Sequence, residues 1–364
     1  MSRLTESLLS RRTAYRLLLA IGFPLVFVLA LWLTPYHAVS HTTSKPVEGD
    51  LGLFKAVVNG QRLGRPYYEV YGEESRTRGY PTRSVFNWRQ PLLMRTLALL
   101  TPRISLVLFI ALAVALLVQA HGLLRRELLG VLTVLGAATV TIVPGEVYFT
   151  ETWAGLCLGL SAMAYVRRRE TTGVGWALLA LFIRELAAPY CVIAALIALW
   201  QRRYREVGMW IGGGVLYAMY FGAHVWQVWQ HVLPGDTAHG HSWLYGGGLP
   251  FVLSVWQMNG LLMAAPVPLF AVVVVAGVAA WWAPKIPLHV RASVVVYSVL
   301  FLFIGLPVNT YWGGVIAPLV SLWLAYAPEG LSTIWRNAQL PRPADSRGFR
   351  YKDQLRPASG IATS

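Results

Sequence analysis

Residues 175–200 read GWALLALFIRELAAPYCVIAALIALW, an apolar run broken in the middle by Arg184 and Glu185. Taken as one continuous helix, this stretch would place two charges near the centre of a bilayer and reverse the sidedness of every loop that follows. Taken as a hairpin of two short half-helices, it returns both ends to the same side. Non-helical backbone is tolerated at membrane depth where protein covers it or it lines a cavity, so the hairpin is the reading adopted.

Outward from this stretch the chain is dominated by similar runs. It has 364 residues, 56% of them hydrophobic and only 13% charged, with a mean hydropathy of +0.52. A soluble domain carries about 25% charged residues, whereas a bilayer-spanning helix needs roughly 20 consecutive apolar ones. The composition therefore predicts an all-α, polytopic transmembrane bundle. About eight crossings are expected, near 14–33, 104–120, 128–143, 150–166, 207–227, 259–282, 290–307 and 314–327, plus the hairpin. The first run follows Arg11, Arg12 and Arg16 and lacks a small-residue cleavage site before Thr34, so it reads as a retained helix and not a signal peptide.

Charge placement gives an orientation. Arg125–Arg126, Arg167–Arg169, Arg202, Arg203, Arg205, Lys285 and Arg291 fall on one side of this count, together with the N-terminus and the segment 331–364. Clustered Lys and Arg in short loops mark the cytoplasmic side. The net charge of +15 is thereby assigned to topology and to contact with membrane lipids, and not to nucleic acid. The expected division is a transmembrane domain over 1–330 and a flexible, basic cytoplasmic tail over 331–364. Cys157 and Cys191 lie inside apolar runs and imply neither a disulfide framework nor a metal site.

On the opposite side the longest loop spans 34–103. It contains GDLGLFKAVVNGQRLGRPYYEVYGEESRTRGYPTRSVFNWRQPLL, residues 49–93. Leu51, Phe54, Val57 and Val58 recur at helical spacing after Asp50, and a second amphipathic piece runs from Gln90 to Leu100. An ordered loop of this kind is a place to build a site. Asp50 is one of four aspartates in the chain, and an aspartate before an apolar helix is also a natural N-cap. Arg184 and Glu185 at the hairpin apex are costly in the membrane and so are functional candidates. Arg83 and Arg89 flank aromatic residues. Glu146 and Glu151 bracket the turn PGEVYFTETW, and Asn309, Tyr311 and Trp312 lie in LPVNTYWGG. The segment 228–258 carries His231, Asp236, His239 and His241; a metal site there would lack a fourth ligand, and a mobile lid or a histidine assisting a phosphate are the other readings. Phosphate-binding Gly-rich loops, His-Glu-x-x-His and Gly-x-Ser-x-Gly do not occur.

An acidic residue soon after the first helix, an amphipathic helix, then Gly64-Arg65-Pro66-Tyr67-Tyr68 and the later FNWRQP resemble the first outer loop of the C-type membrane glycosyltransferases (the GT-C superfamily). Within it, the sequence is most similar to the bacterial polyprenyl-phosphate-sugar-dependent enzymes, including the alpha-mannosyltransferase-like group. The Arg184–Glu185 pair resembles a recurrent basic–acidic pair in the same fold. The resemblance implies a multi-pass protein of the bacterial cytoplasmic membrane whose active site faces outward. It implies transfer of a monosaccharide, with inversion, from a polyprenyl-phosphate donor to a lipid-linked glycan or other acceptor. Asp50 would be the general base, and Arg184, with Arg83, Arg89 or His231, would hold the phosphate. Glu185, Tyr67, Tyr68, Glu146, Glu151, Asn309, Tyr311 and Trp312 would line the substrate site. The sequence departs from the pattern in having no second carboxylate beside Asp50, which speaks against a metal-dependent reaction, and no cofactor is expected. A transporter or flippase, or an inactive scaffold subunit, for lipid-linked glycans is the alternative; a transporter would be expected to repeat the hairpin in its other half, and only one is found.

Overall fold

The computed structural model describes residues 11–34, 49–124, 128–143, 145–238 and 246–339. Among them every regular element is helical. In chain order these are α1 (Arg11–Leu33), α2 (Gly49–Arg62), α3 (Tyr67–Thr77), α4 (Pro91–Leu99), α5 (Pro102–Leu124), α6 (Leu128–Thr139), α7 (Thr150–Val166), α8 (Glu170–Ile183), α9 (Ala188–Trp200), α10 (Tyr204–His231), α11 (Gly248–Trp256), α12 (Val267–Ala280), α13 (Leu288–Phe303), α14 (Gly313–Leu324) and α15 (Ala327–Gln339). Prolines open several of them, including α4 and α9, where the missing N–H is no loss.

Two helical stretches are long and apolar enough to cross a membrane, Arg11–Leu33 and Pro102–His121. The run Val308–Leu324 with α15, bent by 43° between them, makes a third if counted as one span. Of the other expected crossings, that near 207–227 lies within the unbroken 28-residue α10 (Tyr204–His231), which is not among the spans apolar enough to count, and the rest form shorter or broken helices. The α7, α13 and α14 helices have 17, 16 and 12 residues, and the run 259–282 divides into a single turn at Gly260–Met263 and a 14-residue α12. At 1.5 Å per residue these reach less than the ~30 Å of a hydrocarbon core.

The centre of the molecule is α7, buried from Thr150 through Tyr165. Small residues let its neighbours close in: a Cβ on Gly155 would meet the Gly314 carbonyl oxygen of α14 at 2.1 Å, and one on Gly159 would meet Pro318 and Leu116. This Gly-x-x-x-Gly spacing is the close-packing pattern of membrane helices. The α8 helix returns antiparallel to α7, with Ser161 donating to the Gly173 carbonyl at 2.7 Å.

The chain then folds back again at Arg184, whose extended backbone (φ −150°, ψ 122°) ends α8. Cys191 of α9 donates to the Ala177 carbonyl of α8, 14 residues earlier, and Tyr190 donates to Ser161. Arg203, just after α9, reaches Glu170 at the start of α8 at 3.6 Å. Both ends of 175–200 therefore lie together and Arg184 is the apex, which is the hairpin arrangement expected from sequence. The 28-residue α10 runs parallel to α8, setting Tyr217 against Phe182 at 5.5 Å, and continues up to the loop helices, where Tyr68 meets His224.

These pairings give the molecule two chemically distinct ends. Arg167, Arg203 and Lys285, with Tyr165 stacked on His289 at 3.9 Å, lie at one. Glu151, Arg184 and the helices α2–α4 lie at the other. The segment 331–364 does not begin as a loose tail, because residues 331–339 complete α15, whose Ile334 and Ala338 are buried against the body. Residues 340–364 lie outside the described residues.

Candidate functional site

A cavity of about 550 Å³ opens at the end away from the basic loops. Its walls include Asp50 and Phe54 from α2, Tyr71 from α3, Arg78 and Tyr80 from the following turn, Arg89, Arg184 at the hairpin apex, and Asn309, Tyr311 and Trp312. The α2 helix is amphipathic, and burial of Leu53, Phe54, Val57 and Val58 fixes it against its neighbours. That leaves Asp50 in its first turn, half-buried at the cavity edge. Asp50 lies inside the helix and not before it, so it acts on the helix through the dipole and does not serve as the N-cap. Burial, and then a hydrogen bond to Asp50, raise the Tyr80 phenol above the usual tyrosine range.

The floor is an ion-pair chain. Arg184 Nε lies 3.0 Å from Glu151 Oε1, and Arg184 Nη1 lies 2.7 Å from Glu185 Oε1. Glu185 also accepts from Gln90 at 3.2 Å. Glu151 is 1% exposed, accepts from Thr150, and has Arg89 Nη2 at 3.5 Å on the same oxygen that meets Arg184. A lone buried carboxylate costs several kcal/mol; here two guanidinium groups offset that cost.

Arg89 is held differently. Its guanidinium lies over the rings of Phe54 and Tyr311, 5.5 and 5.7 Å from their centroids. Its Nη2 donates to the Tyr311 hydroxyl at 3.1 Å, and Asn309 Nδ2 donates to the same oxygen at 3.2 Å. The Tyr67 hydroxyl clamps the Arg89 carbonyl at 2.5 Å, and the Tyr71 hydroxyl clamps that of Asn87 at 3.0 Å. Among the described residues Arg89 Nε has no hydrogen-bond partner. Arg184 is thus matched by two carboxylates, whereas Arg89 shares one at longer range. Arg184, the first choice from sequence for holding a phosphate, lines the same cavity as Arg89 with both carboxylates on its guanidinium.

Of the other residues singled out from sequence, Asn309, Tyr311 and Trp312 come together at the cavity with Asp50, Arg89 and Arg184. Tyr67 and Tyr68 do not line it: both are buried scaffold, Tyr68 bonded to His224 at 3.0 Å. Glu185 supports Arg184 and is not in the wall. Arg83 is exposed, its N–H bonded to the Thr237 carbonyl. His231 lies off the cavity, bonded to the Gln227 carbonyl of its own helix at 2.7 Å. Glu146 and Glu151 line a second recess of about 140 Å³, which shares Tyr311 with the main cavity. There Thr152 donates to Glu146 at 2.9 Å, and burial raises the Glu146 carboxyl above the usual range.

Asp236 takes a different place from the metal-ligand role weighed for it. It forms a two-point pair with Arg76, at 2.7 and 2.9 Å, and accepts from the Leu233 N–H. Arg76 holds its carboxyl down at about 2. His239 and His241 lie outside the described residues, and among the described residues no group of three His, Cys, Asp or Glu is placed to hold a metal ion.

Phe54, Tyr71, Arg78 and Tyr80 belong to the wall and were not singled out from sequence as site residues. Only Phe54 carried a periodic signal; Arg78 and Tyr80 sit in an irregular turn that periodicity does not reach. Chemically, the cavity offers one edge carboxylate, one clamped guanidinium facing aromatic rings, and a hydroxyl accepting two bonds. The chain matches no family model, no curated protein and no solved structure.

Proposed function

We propose that the chain is a multi-pass membrane glycosyltransferase of the C type. In this reading it moves a monosaccharide, with inversion, from a polyprenyl-phosphate donor to a lipid-linked glycan or other acceptor on the outer face of a bacterial cytoplasmic membrane. The observation that carries the reading is the cavity itself, where the carboxylate of Asp50, beside the Tyr80 phenol, and the clamped guanidinium of Arg89 line one space.

The reaction makes use of both. An acceptor hydroxyl attacks the anomeric carbon while Asp50 takes its proton. The bond to the phosphate oxygen breaks, and the charge returning to the phosphate is met by Arg89. The Tyr311 hydroxyl accepts from Arg89 and Asn309, so its own hydrogen is left to donate to the same anion or to a sugar oxygen. The pairing of Arg184 with Glu151 and Glu185 keeps this arrangement fixed before substrate arrives.

The placement of about eight crossings is supported by the outer surface. Large apolar side chains stand exposed not only on α1 and α5 but also on α9 (Val192, Leu196), α10 (Ile211, Val215, Met219), α12 (Leu269, Val272) and α13 (Val299, Phe303). Apolar side chains exposed together on several helices mark a surface that meets lipid or another apolar partner. The basic end would then be cytoplasmic and the cavity extracytoplasmic.

The test is transfer of labelled sugar from a panel of polyprenyl-phosphate monosaccharides by membranes carrying the chain or its Asp50→Asn variant. Loss of a base lowers the rate by about 10²–10⁴-fold with the variant still present in the membrane. Full transfer by Asp50→Asn removes Asp50 from the role. Transmembrane movement of an intact lipid-linked sugar without bond cleavage would favour the flippase alternative.

A further inference from the structure

The basic end holds an arrangement that the proposed reaction does not use. Arg12 and Arg16, one turn apart on α1, both aim Nε at a single oxygen, the carbonyl of Ala338 in the last turn of α15, at 3.2 and 3.1 Å. Two guanidinium groups are thereby drawn together at one helix end. Among the described residues neither has a carboxylate partner. A helix C-terminus supplies the equivalent of about half a negative charge, so the described residues leave more than one positive charge uncompensated. Ala338 is buried, and Arg16 is exposed.

The surroundings define what could complete the balance. Exposed apolar side chains begin immediately beyond the pair on α1, with Leu17 52% and Ile21 60% exposed. On α15, Trp335 is 58% exposed and Leu331 also stands out of the body, on a strongly amphipathic helix. Indole rings prefer the headgroup level, between water and hydrocarbon. The two guanidinium groups therefore sit where an apolar belt meets a charged end, with N–H donors that no described residue engages, in the planar fork that matches phosphate.

We propose that Arg12, Arg16 and the C-terminal turn of α15 form a seat for the phosphate of an anionic phospholipid. The acyl chains would lie along the exposed face of α1 that starts at Leu17. The bound lipid would fasten α1 to α15. This inference rests on the membrane reading alone and is independent of sugar transfer.

The test is native mass spectrometry of the purified full chain with added phosphatidylglycerol or phosphatidylcholine. Wild type is expected to retain phosphatidylglycerol over phosphatidylcholine, and Arg12→Gln/Arg16→Gln to lose that retention by roughly tenfold or more. A charge-matched control, Arg168→Gln/Arg169→Gln, is expected to keep it. If the double variant does not fold, Arg16→Gln alone reads the same effect at smaller size. Unchanged retention in the Arg12/Arg16 variants, or equal loss in the control, overturns the proposal. Displacement of the lipid by millimolar inorganic phosphate would also overturn it, since the site would then read phosphate without the lipid.

Discussion

At Arg184 two carboxylates meet one guanidinium, and at Arg89 one carboxylate is shared at 3.5 Å. Removing a charge from the first group should be felt in folding, and from the second in binding. Glu151→Gln leaves Arg89 and Arg184 facing a neutral amide in a buried site, and breaking such a network costs about 3–5 kcal/mol; thermal unfolding in a lipid nanodisc measures it. Arg89→Lys keeps the charge but loses the planar fork and the stacking on Phe54 and Tyr311, so transfer from a polyprenyl-phosphate sugar should fall sharply while the unfolding temperature changes little. Asp236 carries a pH signature. Its carboxyl is held at about 2 by Arg76, below the ordinary 3.8. A depressed folded value means the Arg76–Asp236 link stabilises fully above about pH 4 and is lost as the pH falls toward 2. Proteolysis of the 232–238 segment should rise across that window in the wild type, and should already be raised at neutral pH and vary less with pH in Asp236→Asn. None of these distinctions could be read from residue type alone. Arg184 and Glu185 are adjacent in sequence, which marks the pair, but Glu151 completes it from 33 positions away.

The helix hairpin at Arg184 was legible because a charged pair interrupts the apolar run 175–200, and charge bias favoured it over the straight alternative. The packing of α7 was not legible in that way. Gly155 and Gly159 sit in an apolar run where glycine carries no hydropathy signal, and only the approach of Gly314 to the first and of Pro318 and Leu116 to the second reveals their use. Gly155→Ala places a methyl against a backbone carbonyl at 2.1 Å, and overpacking of this kind costs about 1–3 kcal/mol. Gly175→Ala, on α8 with open space around it, should be neutral or stabilise by up to about 1 kcal/mol through helix propensity. A paired unfolding measurement separates the two; equal effects would mean that α7 and α14 do not pack this closely. The amphipathic α2 was visible from its periodicity, whereas the continuation of the chain into α15 was hidden by the basic composition of 331–364, which resembles a solvated tail.

Across the whole molecule, the pairings that bring Glu170 to Arg203 and Tyr165 to His289 gather the arginine-rich turns at one end and leave the cavity at the other. This separation makes a sidedness prediction. The native cysteines Cys157 and Cys191 are both buried, so labelling background is low. A cysteine at Arg83 should react with an impermeant maleimide added outside intact cells, and one at Arg205 should react only after the membrane is opened. The apolar runs and the positions of Lys and Arg carried the membrane reading in the sequence. What they could not carry was which buried cation faces the cavity, because that depends on carboxylates contributed by other helices. The most direct measurement of the central claim is a cryo-electron microscopy structure of the chain in a nanodisc with a polyprenyl-phosphate monosaccharide. Phosphate density is expected within hydrogen-bonding reach of Arg89 and Tyr311, with the sugar in the cavity that Asp50 edges. Phosphate density at the arginine-rich end, or a cavity left without ligand while lipid binds elsewhere, would contradict the claim.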